Sequence, residues 1–227
     1  MRKIIVISLG GSIIIPKTGF DPKFLRNFIK MILGFRNKFR FILVCGGGNT
    51  ARLYQGAARA AGKMQSDDLD WIGIYSTRLN ARLMQSLFGK SAHPELVIDP
   101  TKKQKWQTQV MWAAGWKPGF STDYDAVLLA KKYGADTVIN LSNIDYVYDK
   151  DPRVNKDAKK LEKVNWADFQ KIVGTKWIPG INAPFDPVAS ILARKNKMRV
   201  LFVKGNNLKE VKNAIEGRKI KGTIIEN

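Results

Sequence analysis

A β-rich strand that ends in glycines and runs on into a helix occurs twice near the start of this chain, and that repetition limits the fold more than any other feature. The segment KIIVISL (3–9) ends in Gly10 and Gly11, after which Asp21 and Pro22 supply a cap and a first helical position for Phe24, Leu25, Phe28, Ile29 and Ile32. The segment FRFILVC (39–45) runs into Gly46, Gly47 and Gly48 and then a helix from about Thr50 through Ala61, whose alanines favour helix. Strands alternating with helices in this way predict an α/β sheet with crossover helices.

The rest of the chain continues the alternation. A longer helix is expected from about Asp67 to Phe88, with Leu69, Ile72, Gly73, Leu79, Leu83 and Leu87 on its packing face, followed by a short strand PELVID (94–99). A strand-like stretch before the turn-rich GWKPGFSTD leads to a helix that Thr122 or Asp123 can cap. Then come the strand ADTVINLS, the loop NIDYVYDKDPR, the helix NWADFQKIVG, the irregular TKWIPGINAPF, the helix DPVASILARKN, the strand RVLFVKG, the helix LKEVKNAIEG and a terminal strand GTIIEN. One open sheet running through both halves is the preferred reading over a boundary near residue 120.

Glycine-rich turns between strand and helix let backbone N–H groups approach an anion, and the helix N-terminus adds its positive dipole. Ligands of open α/β sheets collect at the carboxyl ends of the strands, so Gly10, Gly11, Ser12 and Gly46, Gly47, Gly48 are expected to face one crevice. Arg52, one helical turn into the second unit, can reach that crevice as a bidentate phosphate donor. There is no GxxxxGK[ST] and no GxGxxG, which excludes a P-loop and leaves a dinucleotide fold without support.

Composition removes other classes. The single Cys45 excludes an internal disulfide and a cysteine zinc site, and the single His93, read as a turn residue, excludes a catalytic histidine pair. Every long apolar stretch is broken by a charge or glycine, and the start alternates like a strand, so a cytoplasmic protein without a membrane span is expected. The net charge of +20, from 39 basic and 19 acidic residues, attracts polyanions, yet the lysines are spread over separate segments. A nucleic-acid partner is therefore an alternative and not the favoured one. Trp71, Trp106, Trp112, Trp116, Trp166 and Trp177 read as core or subunit contacts rather than a base-stacking platform.

Taken in order, SLGGS, CGGGNTAR, DWIGIYSTRLNA, KPGFSTD, SNIDYVYDKDP and FDPVASILAR resemble the amino-acid-kinase superfamily, and their order and spacing look most like its archaeal-type uridylate kinases. The SNIDYVYDKDP element is similar to the family's TNVDGVYTxDP. The resemblance implies a three-layer α/β/α sandwich with a mostly parallel central sheet, a single domain over 1–227, acceptor binding by about 1–120 and ATP binding by about 121–227. It also implies transfer of the ATP γ-phosphoryl group to UMP, with Mg²⁺ accompanying ATP, and a homo-oligomer of hexameric type, for which the first two helices offer an apolar face.

Carried over by position, the resemblance puts Gly11 and Ser12 at the transferred phosphoryl group, Gly47 at UMP, and Gly48 with Arg52 at nucleotide phosphates. Asp70 matches the aspartate that holds the uridine ribose. Trp116, Lys117, Pro118, Gly119, Phe120, Ser121 and Thr122 match the loop that closes on UMP. Ser142, Tyr148 and Asp151 match adenine-nucleotide positions, and Asp123 and Asp186 match two carboxylates beside the transfer centre, where Asp123 can organise a metal or a lysine and can equally be a helix cap. No resident metal ligands are expected.

The departures are specific. Ser8 stands where many members carry a phosphate-bridging lysine, and WIPG stands where a lysine is common, which leaves Lys176 or Lys117 as substitutes. Tyr146 replaces a glycine, and Asp125 replaces a small residue. A sister branch that phosphorylates isopentenyl phosphate needs an acceptor-pocket histidine, and His93 lies outside every motif. Two alternatives to UMP phosphorylation follow: a basic nucleic-acid-binding descendant with little turnover, or a kinase of another small phosphorylated or carboxylate acceptor.

Overall fold

The computed structural model describes residues 2–176 and 183–227. Trp177 and the WIPG segment lie outside the described residues. Strand β1 (Lys3–Leu9) pairs in parallel with β2 (Phe39–Cys45), and β2 pairs in parallel with β3 (Val110–Ala113). On its other side β1 pairs in parallel with β4 (Thr137–Ser142). A small antiparallel hairpin, β5 (Val147–Tyr148) with β6 (Lys160–Leu161), stands apart from this sheet. The sheet continues through β7 (Lys163–Asn165), β8 (Arg199–Lys204) and β9 (Gly222–Glu226), giving the order β3-β2-β1-β4-β8-β9-β7 in which only β8 and β9 run antiparallel.

Period-two alternation divides the core between the two faces of the sheet. Ile5, Ile7, Leu9, Phe41, Leu43 and Cys45 point to one face, while Val6, Ile42 and Val44 point to the other. The first face is covered by α1 (Gly11–Ile14), α2 (Pro22–Gly34), α4 (Ser66–Phe88) and α8 (Leu208–Glu216), and α3 (Gly48–Ala61) packs on α4. The second face is covered by α5 (Thr122–Tyr133), α6 (Trp166–Val173) and α7 (Pro187–Lys195). The arrangement is the expected α/β/α sandwich with a mostly parallel central sheet. Strands covered on both faces are mostly apolar, with Ser8 and Asn140 as buried polar exceptions near their carboxyl ends.

Local signals set most boundaries. Asp21 accepts from the N–H groups of Lys23 and Phe24 at 2.9 and 3.0 Å, with Pro22 at the first helical position. The cap of α5 is Ser121, not Thr122 or Asp123; its Oγ accepts from the Tyr124 N–H at 3.1 Å. PELVID is not a strand, and only isolated bridges, Ala92 to Val110 and Val97 to Ala113, connect that region to β3. Among the described residues no helix is long and apolar enough to cross a membrane.

The expected packing face of α4 is also corrected. Leu79 and Leu87 are exposed, while Ile74, Thr77, Asn80, Ala81, Met84 and Phe88 face inward. Three of the polar residues in this buried stretch, Thr77, Asn80 and Gln85, bond loop backbone far along the chain or beyond the helix end, which leaves Leu79 and Leu87 outward and Leu69 and Leu83 half-buried. Because α2 buries Leu25, Phe28 and Ile32, the exposed apolar surface lies on the second of the two helices first expected, α3, and on α4: Leu53, Tyr54, Trp71, Tyr75 and Leu79. Trp106, Trp112 and Trp166 are buried in the core as expected.

Candidate active site

The two glycine loops meet at the carboxyl ends of β1 and β2. A Cβ on Gly11 would lie 2.1 Å from the Gly48 backbone N and 2.6 Å from the Gly46 carbonyl, and one on Gly48 would lie 2.3 Å from the Gly11 carbonyl oxygen. Gly48 also has φ +61°, a conformation that favours glycine. The glycines are therefore required first by each other. Asn80 of α4 fixes the second loop, its Nδ2 donating to the carbonyls of Gly46 and Gly47 at 2.8 and 2.9 Å.

Beside these loops lies a crevice of about 180 Å³ whose wall includes Ser8, Gly11, Ser12, Asp123, Asn140 and Ser142. Its lining holds neither lysine nor arginine among the described residues. Arg52 reaches the rim, where Nη1 donates to Ser12 Oγ at 3.4 Å. Asp123 Oδ1 accepts from Ser8 Oγ at 2.7 Å and from Asn140 Nδ2 at 2.8 Å. Burial pushes the Asp123 carboxyl up to about 6 against the Ser8 hydrogen bond, and the neighbouring Asp186 carboxylate pushes the same way.

The loop from Gly115 to Thr122 runs up to the crevice and joins its lining at Thr122. Trp116, Phe120 and Tyr124 pack ring against ring with centroids 5.0 and 4.7 Å apart, and Lys117 Nζ sits 4.2 Å from the Trp116 centroid. Asp70 of α4 accepts from the Gly119 N–H at 3.0 Å, so two segments that the motifs paired across 49 positions do meet. Ser121 Oγ donates to Asp186 Oδ2. Asp125, one turn into α5, is 1% exposed; its Oδ2 accepts from the Trp116 N–H at 3.2 Å and its Oδ1 has no hydrogen-bonding partner among the described residues. Burial pushes its carboxyl up to about 8, opposed by the Trp116 N–H and by Arg78 and reinforced by Asp123 and Asp186.

Other expected positions lie elsewhere. Asp186 caps α7 through Oδ1, accepting from the N–H groups of Val188 and Ala189 at 2.6 and 3.1 Å, and does not line the crevice. Tyr148 is in the β5–β6 hairpin, and Asp151 forms an ion pair with Arg153 at 2.7 Å; neither is in the crevice wall. Lys117 stacks on rings and Lys176 is exposed, so neither lines the crevice where a cation was expected from them. Asn140 escaped notice in the sequence, although an asparagine inside the apolar run TVINLS was its visible signal. Arg78, which holds the loop at Gly115 and Trp116, lies within DWIGIYSTRLNA but had no role read from it there.

Residues 3–204 match the family described as Amino acid kinase family. The chain belongs to this family. As a member of the amino acid kinase family it is 34% identical to the uridylate kinase of Thermoplasma volcanium, over 100% of this chain and 99% of that one. It is 36% identical to the uridylate kinase of Methanosarcina mazei, over 90% and 88% of the two chains. The solved structure of the uridylate kinase from Archaeoglobus fulgidus superposes with a TM-score of 0.83 at 31% identity, covering 99% of this family member and 100% of that chain.

Proposed function

We propose that this chain transfers the γ-phosphoryl group of ATP to UMP, giving UDP for pyrimidine nucleotide synthesis in the cytoplasm. One observation carries the reading: the kinship with the Thermoplasma volcanium uridylate kinase extends over the full length of both chains, and so includes the crevice loops as well as the sheet. The N-terminal part, about 1–120, binds UMP together with the closing loop, and the part from about 121 binds ATP.

The chemistry suits what the crevice offers. A nucleoside monophosphate, with a second pKa of about 6, is mostly ionised at pH 7, so its oxygen attacks without a general base and the protein has only to position and neutralise. Backbone N–H groups of Gly11 and Gly48, with the Ser12 hydroxyl and Arg52, face the phosphates. Gly47 touches UMP, and Asp70 keeps a second oxygen with which to accept from a ribose hydroxyl. Ser142 on the crevice wall meets the ATP side, with Tyr148 and Asp151 further out, and Asp123 and Asp186 set the charge beside the transfer centre.

Among the described residues no group of three or more His, Cys, Asp or Glu side chains is placed to hold a metal. One carboxylate amid hydroxyls and an amide fits a Mg²⁺ that arrives with ATP and takes phosphate oxygens and water as its other ligands. That ion would supply charge neutralisation that the lining lacks among the described residues.

An acceptor panel with MgATP tests the reading. UMP is expected to be the fastest acceptor, with CMP poorer; isopentenyl phosphate or carbamate proving faster would overturn it. Assembly follows the same proposal. The exposed apolar surface on α3 and α4, with Leu53, Tyr54, Tyr75 and Leu79, supports a dimer contact within a homo-hexamer. Light scattering at micromolar protein is expected to return a multiple of 25.6 kDa, and the single-chain mass would count against assembly.

A further inference from the structure

The root of the closing loop is the Gly115–Trp116 peptide, and side chains from two helices hold every polar backbone group around it. Thr77 Oγ1 accepts from the Gly115 N–H at 2.8 Å. Arg78 donates from Nε and Nη2 to the Gly115 carbonyl, both at 3.3 Å, and from Nη2 to the Trp116 carbonyl at 3.0 Å. Opposite them, Asp125 Oδ2 takes the Trp116 N–H. Arg78 is itself steadied, its guanidinium lying 5.4 Å from the Tyr75 ring centroid and 5.9 Å from that of Trp71.

Asp125 is the costly member of this set. A carboxyl group with one oxygen buried and unpartnered among the described residues weakens a fold unless it is compensated, and such groups persist where they serve the site rather than the core. Its neighbours point the same way: α5 brings Asp123, the start of α7 brings Asp186, and only Arg78 of α4 is cationic among the charged groups facing it.

We infer that Asp125 is a positioning residue for the acceptor, acting with Arg78 and Thr77 to clamp the Gly115–Trp116 peptide and so to set where Trp116, Lys117 and Phe120 meet UMP. The inference rests on reading residues 116–122 as the loop that closes on UMP. Asp125 does not line the crevice, so it acts through the loop and not on the reacting atoms.

The test is steady-state kinetics of the full chain with MgATP and UMP. Asp125→Ala is expected to raise KM for UMP about tenfold while kcat and KM for ATP stay within about threefold, as loss of an interaction that places one substrate predicts. Asp125→Asn keeps an oxygen for the Trp116 N–H and is expected to restore KM for UMP to within about threefold of the parent. Its melting temperature should stay close to the parent's at pH 7, where a carboxyl pushed up to about 8 is mostly uncharged, and should exceed the parent's above pH 8, where the parent must bury the charge. A purely structural role predicts the opposite: lower melting temperatures, with kcat and both KM values damaged together. That pattern, or an unchanged KM for UMP in Asp125→Ala, overturns the proposal. Should Asp125→Ala fail to fold, Arg78→Gln loosens the same peptide from its other side, and an unchanged KM for UMP there overturns the proposal equally. Trp116→Ala separates the two levels. If it raises KM for UMP while Asp125→Ala does not, the clamp fails and the loop assignment stands; if neither moves it, the loop assignment itself has failed.

Discussion

Replacing Asp123 by asparagine is expected to lower kcat by about 10²- to 10³-fold while KM for either nucleotide moves less than about threefold. Asparagine has the same shape and keeps an oxygen to accept from Ser8 Oγ and Asn140 Nδ2, so the wall of the crevice survives and only the charge is removed. The effect falls on turnover because charge beside the moving phosphoryl group matters most in the transition state. The pH profile gives a second readout. With the Asp123 carboxyl pushed up to about 6, the ionised form is lost as pH falls through that value, in the same range where UMP takes up its own proton. On the acid side the parent is therefore expected to lose kcat/KM with a steeper slope than Asp123→Asn, in which only the substrate titrates. Stability runs the other way: a carboxyl raised from 3.8 to about 6 favours folding below its ordinary value and loses that advantage as pH rises through 6. Asp123→Asn should accordingly melt no lower than the parent at pH 7. Parental turnover and an unchanged acid slope in the variant would remove Asp123 from the transfer centre.

Arg52→Ala is expected to reduce kcat/KM by about ten- to a hundredfold, which corresponds to a charge-assisted contact of about 1.5–3 kcal/mol. The crevice lining has no cationic side chain among the described residues, and Arg52 touches it at Ser12, so the phosphates of two nucleotides depend on this one rim guanidinium together with backbone N–H groups and the incoming Mg²⁺. Lys159→Ala is the control, expected to change kcat/KM by less than about twofold. Lys159 is exposed, and it holds Asp149 through its backbone N–H and carbonyl, both of which an alanine retains. Equal losses at the two positions, or a larger loss at Lys159, would favour binding of polyanions by the diffuse basic surface.

The sheet was legible because its strands are runs of β-branched residues bounded by glycines, a pattern that needs no partner to be seen. The meeting of the glycine loops was legible for the same reason, and the structure does bring Gly11 against Gly48. What escaped the sequence depends on partners far along the chain. Asn80 serves Gly46 and Gly47, 34 and 33 positions away, and Thr77 serves Gly115, 38 away, so the face chosen by its leucines is at best half-buried and Leu79 and Leu87 are exposed. Asp186 shows the converse: its position in FDPVA is conspicuous, yet the sequence does not reveal that one of its oxygens caps α7 and the other holds Ser121.

The contact between the glycine loops has a consequence for how such a site can diverge. Where a Cβ would strike another main chain, as at Gly11 and Gly48, no compensating side-chain substitution makes room, and both loops must be inherited unchanged or rebuilt together. The loop 115–122 is held instead by side chains, from Asp70, Thr77, Arg78, Asp125 and Asp186, each replaceable one at a time. Substrate preference in a chain built this way is expected to drift through that loop and the side chains that hold it, and directed evolution toward a new acceptor should concentrate its library there.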